Sequence, residues 1–374
     1  MSFIMNPSRF TVASGVLAYV EDLIEDIEPA IGAYSLTKLE DNKLIFCYKD
    51  NTDSNHGKAV IITISGTSIT LGTIFKFHSA YTIHLHSAAV SSTKLIITFK
   101  DYDGSSVFKI KAVCLSIDGT SITAGTVIDV VTGNFNVYAN CPLDATHSMI
   151  SFNDTSVTDN NAIAALTLSG TSLTLGNKLG SIAYVATSLL LRLSSTTALF
   201  LDSSASGNYE AAIVTMSGTG ASASLSKGSS TEVVGAAISV PLGVELGDNK
   251  VLIGYRLSAA GGYATAITVS GSTISAGSQV SIATTAQSAK LGIGAFNNDR
   301  VFASWDGTTG GEDLLTARDL IIDGNGITMT DPIVLNTVRP SNASKIAGIT
   351  EAQVLEVRVG NASAYGIDAR IYAA

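Results

Sequence analysis

The stretch SGTSITLGT, residues 65–73, returns as DGTSITAGT at 118–126 and as SGTSLTLGN at 169–177. Recurrence at a fixed interval marks a repeat architecture, so the period comes before any local motif. With the first glycine of each copy as the mark, Gly66, Gly119 and Gly170 are followed by looser copies at Gly218, Gly271 and Gly324, spaced 53, 51, 48, 53 and 53 residues apart. Seven residues upstream stands an alanine at Ala59, Ala112, Ala211, Ala264 and Ala317, replaced in the third copy by Ile163. Ala369 repeats the alanine once more, and its glycine would fall at position 376, past Ala374.

Between the marks the second repeat reads YTIHLHSAAV, KLIITFKD, VFKIKAVCLSIDG and TSITAGTVIDV. Each run is short, rich in Val, Ile, Thr, Phe or Tyr, and bounded by Gly, Asp or Ser, which predicts four strands per repeat with a hydrophobic period of two. Four strands per fifty-residue unit fit a propeller blade better than the shorter coil of a β-helix. The expectation is an all-β, seven-bladed β-propeller of four-stranded blades forming a single domain over 1–374, with the blades running from 31 to 374. Because an open array leaves unpaired strand edges, the N-terminal segment 1–13 is expected to complete the last blade, built from about 339–374, as a clasp strand. The connecting segment 14–30 carries Leu17, Val20, Leu23, Ile24 and Ile27 at helical spacing between Ser14 and Pro29, which reads as a short amphipathic helix; an irregular strand is the alternative.

Two further features recur. The alanine falls in the third strand of each unit, where a small side chain lets neighbouring sheets approach. An aromatic precedes an aspartate by two residues at the end of the second strand, in Tyr48 and Asp50, Phe99 and Asp101, Phe152 and Asp154, Phe200 and Asp202. Aromatics packed between blades and aspartates closing turns are the structural reading.

A net charge of −9, with 14% charged residues and no Lys/Arg cluster, argues against a nucleic-acid partner. No run of eighteen apolar residues is present and the N-terminus lacks a basic lead, so neither membrane insertion nor a signal peptide is expected. Cys47, Cys114 and Cys141 are odd in number and read as free buried thiols, consistent with folding in a reducing cytoplasm.

His84 and His86 alternate along one strand, a spacing that lets two imidazoles share a metal, but no third ligand is identifiable. The oxygen-rich stretches 50–57 and 101–106 miss the calcium-loop pattern. No nucleophile, base and orienting partner come together in a known motif, so the reading is no metal, no cofactor and no enzyme activity. The loops between second and third strands, at 50–57, 101–106, 154–161, 202–208, 257–262, 306–313 and 360–364, vary while the strands keep their pattern. That separation of scaffold from variable surface makes His56, Tyr102, Asp103, Asn160 and Tyr263 the candidate binding residues.

WD40 and kelch repeats fit poorly: Trp305-Asp306 occurs once and Gly-Gly only at 261–262 and 310–311. KLIFCYKD followed by GKAVIITISGTSITLGT instead resembles the Ser, Gly and Thr-rich repeats of tail-fibre-like and other virion structural proteins of tailed bacteriophages, over most of 43–330. The resemblance implies a virion component made in the host cytoplasm, of tail-fibre, receptor-binding or adaptor type. Its implied partners are other virion proteins and a host-surface receptor or glycan, with self-association inside the assembly compatible with the role. The rival class is a carbohydrate-binding lectin or a glycan-active enzyme using the propeller funnel.

Overall fold

In the computed structural model the described residues are 19–24, 31–66, 68–102, 107–133, 135–154, 160–182, 188–204, 207–247, 249–257, 261–283, 291–309, 312–336, 345–350, 353–359 and 367–373. They form an all-β propeller of antiparallel sheets, and their single helical turn is the 3-10 segment Gly220–Ser222. Six blades are each written by one contiguous stretch, starting with the first strands Ile31–Glu40, Tyr81–Ser91, Phe135–Pro142, Leu189–Arg192, Ile238–Glu245 and Gly292–Asn297. Blade 1 shows the plan: Ile31–Glu40, Lys43–Asp50, His56–Ser65, then an outer edge split into Ser68–Leu71 and Phe75–His78, both paired to the third strand. First strands neighbour one another in succession around the ring.

One further sheet differs in make-up, joining Lys345–Thr350, Gln353–Val359 and Ile367–Ala373 to Tyr19–Ile24. The expected clasp, 1–13, lies outside the described residues. The strand that pairs with Ile367–Ala373 is Tyr19–Ile24, with Asp22 opposite Ala369. This corrects the helical reading of 14–30 over those six positions. The apolar-apolar-polar-polar-apolar-apolar order of YVEDLI has helical spacing and no strand alternation, and the open edge of Ile367–Ala373 supplies backbone partners that override it. Ile349 and Leu355 of this composite sheet pack with Leu44, Phe46 and Tyr48 of blade 1. On its other side, a Cβ on Gly294 of blade 6 would run into Ile346.

The repeated motif has two jobs. Its first glycine takes a positive φ, between 57° and 62° at Gly66, Gly119, Gly170, Gly271 and Gly324, opening the two-residue hairpin between third and fourth strands. Its second glycine divides the outer edge into two strands at Gly72, Gly125 and Gly277, lies within the continuous strand Ser172–Ile182 at Gly176, and in all four packs against the equivalent turn of the next blade. A Cβ on Gly72 would stand 3.1 Å from Thr120, one on Gly176 2.8 Å from Ala223, and those on Gly125 and Gly277 would overlap the carbonyls of Thr171 and Asn325. The motif recurs because each copy is the socket for its neighbour.

The marker alanines Ala59, Ala112, Ala211, Ala264 and Ala317 are all fully buried. In the third blade the larger Ile163 faces Ser151 across the ladder, so volume is given back by its partner. Tyr48, Phe99, Phe152, Tyr255 and Trp305 occupy one rung, each opposite the residue just before the marker position, and pack toward the preceding blade. Phe200 sits two pairs deeper, opposite Ala212, a register difference that its spacing from Asp202 conceals. Cys47, Cys114 and Cys141 are buried free thiols, and burial pushes Cys47 up to about 12 and Cys114 up to about 11, which keeps both protonated.

Candidate functional site

The face that carries the loops between second and third strands also carries the starts of the first strands, and it is called the upper face below. Its chemistry differs from blade to blade. At blade 1 the buried Asp50 carboxylate closes the turn, Oδ1 accepting from the amides of Thr52 (2.8 Å) and Asp53 (3.1 Å). Its Oδ2 accepts from Lys58 Nζ at 2.5 Å. Ser54 and Asn55 complete the loop with φ of 54° and 63°, conformations that Asn in particular tolerates. Asp53 then binds Lys76 at 2.7 Å and Lys58 at 3.2 Å, and His56 Nδ1 accepts from Lys76 at 3.0 Å. The hydrogen bond from Lys76, helped by Lys58, holds the Asp53 carboxyl down at about 2.

The seam between blades 1 and 2 is also polar at this level. His78 Nε2 lies 2.8 Å from Asp101 Oδ1, and Lys111 Nζ donates to Asp101 Oδ2 at 2.9 Å. Burial pushes the His78 imidazole below its ordinary range against the pull of Asp101. Burial also pushes Asp101 up, but hydrogen bonds from Lys111 and His78 outweigh it and hold the carboxyl below the usual range. The His78 ring sits 4.7 Å from that of Phe99, centroid to centroid. A His–Asp pair filled in by a lysine and an aromatic face is built as an inter-blade clamp.

Blade 2 presents the aromatic part of the face. Tyr81, Tyr102 and Phe108 are cross-strand neighbours at the ends of the first, second and third strands, all half-buried. Tyr102 stacks on Phe108 at 4.8 Å and meets Tyr81 edge-on at 6.1 Å. Two lysines from the same rung of adjacent blades come onto this group. Lys100 Nζ lies 4.3 Å from the Phe108 centroid and donates to Asn136 Oδ1 of blade 3 at 3.0 Å; Lys49 Nζ lies 5.3 Å from the Tyr81 centroid. Lys100 is only 6% exposed. Burial pulls both lysines below their ordinary range.

Beside them, the first strand of blade 2 bulges between Ile83 and His86, and the exposed His84 at its bulge takes a φ of 48°. A left-handed, non-glycine residue in an inner strand costs about 1–2 kcal/mol, and bulges of this kind re-aim side chains. Partial desolvation by the surrounding protein, then the charge of Lys100, holds the His84 imidazole down although the residue keeps solvent contact. The bulge also breaks the simple alternation that would put His84 and His86 on one face, and among the described residues no group of three metal-ligand side chains is formed.

The sequence-derived residues are spread over blades 1, 2, 3 and 5. His56 is tied into the Asp53–Lys76 network rather than presented. Tyr102 is in the aromatic group. Asp103 lies outside the described residues. Asn160 opens the third strand of blade 3, opposite Asp154. Tyr263 is half-buried against Tyr255, 6.3 Å away, in the packing between blades 4 and 5. Two of the expected loops are ladder: second and third strands stay paired to Leu257 opposite Gly261 and to Thr309 opposite Glu312. Sequence reasoning missed Tyr81, Phe108, Lys49 and Lys100, whose signal is their placement at matching strand ends in YTIHLH, KDY and VFK.

No protein-family model matches the chain, and no curated protein matches it. Solved structures share its fold at low identity. A putative 6-phosphogluconolactonase from Bacteroides fragilis superposes with a TM-score of 0.58 at 9% identity, covering 88% of this chain and 94% of that one. The NanB sialidase of Streptococcus pneumoniae gives 0.53 at 12%, covering 98% and 71%. The β-propeller domain of the Trilobed protease from Pyrococcus furiosus, described as having an open velcro topology, gives 0.50 at 10%, covering 91% and 95%.

Proposed function

We propose that the protein is a non-enzymatic recognition propeller, a virion structural component of tail-fibre, receptor-binding or adaptor type, that docks through the upper face of its first three blades. The observation that carries this reading is the half-exposed Tyr81–Tyr102–Phe108 group, set on a scaffold whose rungs hardly change from blade to blade. Rigid aromatics presented at the rim of a fixed frame supply contact area at low entropic cost, as recognition surfaces do. The virion setting rests on the resemblance of KLIFCYKD and GKAVIITISGTSITLGT to phage structural repeats. In this reading the composite sheet serves as a seventh blade and closes the ring, which suits a particle component exposed to shear and protease.

The test is adsorption. Free protein added in excess should compete with the particle for its host, and Tyr102→Ala should lose that competition while melting like the wild type. Failure of the wild-type protein to compete, or its absence from purified particles, would count against the virion role.

A second reading, a glycan- or lactone-active enzyme, is favoured by the fold shared with proteins described as a lactonase and a sialidase. It gives the His78–Asp101 pair a proton-transfer role. Steady turnover of a sugar lactone or a sialoside, abolished by His78→Gln, would replace the first reading with this one.

A further inference from the structure

Blade 6 departs from the other blades directly after its marker alanine. Where Val60, Val113, Ala164, Ala212 and Thr265 are buried in their seams, blade 6 carries the half-buried Arg318. Cross-strand pairs share a face, so the register of Ala303 with Arg318, Trp305 with Thr316 and Leu320 with Met329 sets Arg318, Trp305 and Met329 on the face of blade 6 that packs against blade 5. The guanidinium lies over the Trp305 ring, 5.4 Å from its centroid, and Nη1 donates to Met329 Sδ at 3.2 Å. Its Nε is buried and has no acceptor among the described residues, and Asp331 acts on it through charge without forming an ion pair. A charged donor is thus held by a thioether, a weak acceptor, where an unmatched buried N–H is costly. Met329 ends the outer strand Gly326–Met329 and is 36% exposed, whereas Met149 and Met216 are buried.

From this geometry we propose that Met329 is a site of oxidation by peroxides and that Arg318 reads the sulfoxide that forms. A sulfur lone pair attacks one peroxide oxygen: the S–O bond forms as the O–O bond breaks, sulfur gives up two electrons, and the proton on the transferred oxygen passes to the leaving one, which departs as water or an alcohol. A dithiol reverses the step, becoming a disulfide while the oxygen leaves as water. Exposure of the sulfur sets the rate, and the arginine acts on the product. The sulfoxide oxygen is a far stronger acceptor than the thioether, so a charge-assisted hydrogen bond replaces the N–H···S contact. Making that bond draws the guanidinium toward the outer strand and off the ring of Trp305, which uncovers the ring at the seam with blade 5.

The test treats the intact chain with dilute hydrogen peroxide and follows each methionine by peptide mass mapping, beside the emission of Trp305, the one tryptophan of the chain. Met329 is expected to take up oxygen at least about tenfold faster than Met149 and Met216. The emission should shift to the red as Met329 converts, while the peptide bearing Trp305 keeps its mass, and a dithiol-dependent methionine sulfoxide reductase should restore it. Met329→Leu should abolish the shift, although Met1 and Met5 are still present. Arg318→Gln should keep the oxidation and lose the shift where melting shows the variant folded; where it does not fold, Met329→Leu decides. Oxidation of Met149 or Met216 in step with Met329 overturns the site. An emission unchanged when Met329 converts, or one that shifts equally in Arg318→Gln or Met329→Leu, overturns the reading of the sulfoxide by Arg318.

Discussion

Replacing the second glycine of each motif by alanine measures how the blades are held together, because the four positions grade the same contact. A Cβ at Gly72 would stand 3.1 Å from the Thr120 carbonyl oxygen and one at Gly176 2.8 Å from that of Ala223, while at Gly125 and Gly277 it would overlap the carbonyl oxygens of Thr171 and Asn325. A few tenths of an ångström can be absorbed locally, but the deeper overlaps require the hairpin backbone itself to move. Gly72→Ala is therefore expected to cost the least, under about 1 kcal/mol, and Gly125→Ala and Gly277→Ala the most, at the upper end of the roughly 1–3 kcal/mol typical of overpacking. Gly119→Ala separates this effect from backbone strain: its Cβ would meet nothing within 4 Å, so only the φ of 59° is penalised, by about 1–2 kcal/mol. Gly180→Ala, with open space and an ordinary φ, should be neutral or slightly stabilising. Thermal melts of the six variants, scanned at one rate because a ring of this size need not unfold in two states, give the ranking. If Gly125→Ala melts with the wild type, or no lower than Gly72→Ala, the socket explanation of the repeat is wrong.

Phe99→Ala, which empties the space between blades 1 and 2, should destabilise by about 3–5 kcal/mol, whereas Tyr102→Ala should leave the melt nearly unchanged; equal losses would misplace one of the two rings. Acid should weaken the seam between those blades in two stages. His78 titrates lower in the fold than its ordinary 6.5, so its contribution is full above that value and is lost as pH falls below it; Asp101 follows below its ordinary 3.8. Melting temperature should thus fall from pH 7 toward 5, and His78→Gln should flatten that segment; an unaltered slope would remove His78 from the clamp. Asp22→Pro breaks the pairing of Tyr19–Ile24 with Ile367–Ala373 and exposes an edge, so light scattering should show aggregation at lower temperature than for wild type.

The sequence by itself determined the repeat, its strand content and much of its packing. The glycine and alanine marks are legible because they report steric limits that any blade must meet: a positive φ at Gly119, a vanishing side chain at Ala112, a bare backbone at Gly125. Aromatics such as Phe99 and Phe152 were legible for the same reason, since a wedge between sheets needs both volume and a fixed rung. The tertiary structure decided what local pattern left degenerate. YVEDLI has helical spacing, and only the free edge of Ile367–Ala373 makes it a strand. His56 and Tyr263 look like loop residues in the sequence, yet one is consumed by Lys76 and the other by Tyr255. The rim of Tyr81, Tyr102, Phe108, Lys49 and Lys100 draws on two repeats, and its members meet because strand ends in register, and rungs in adjacent blades, bring together side chains as far as 59 positions apart in the chain.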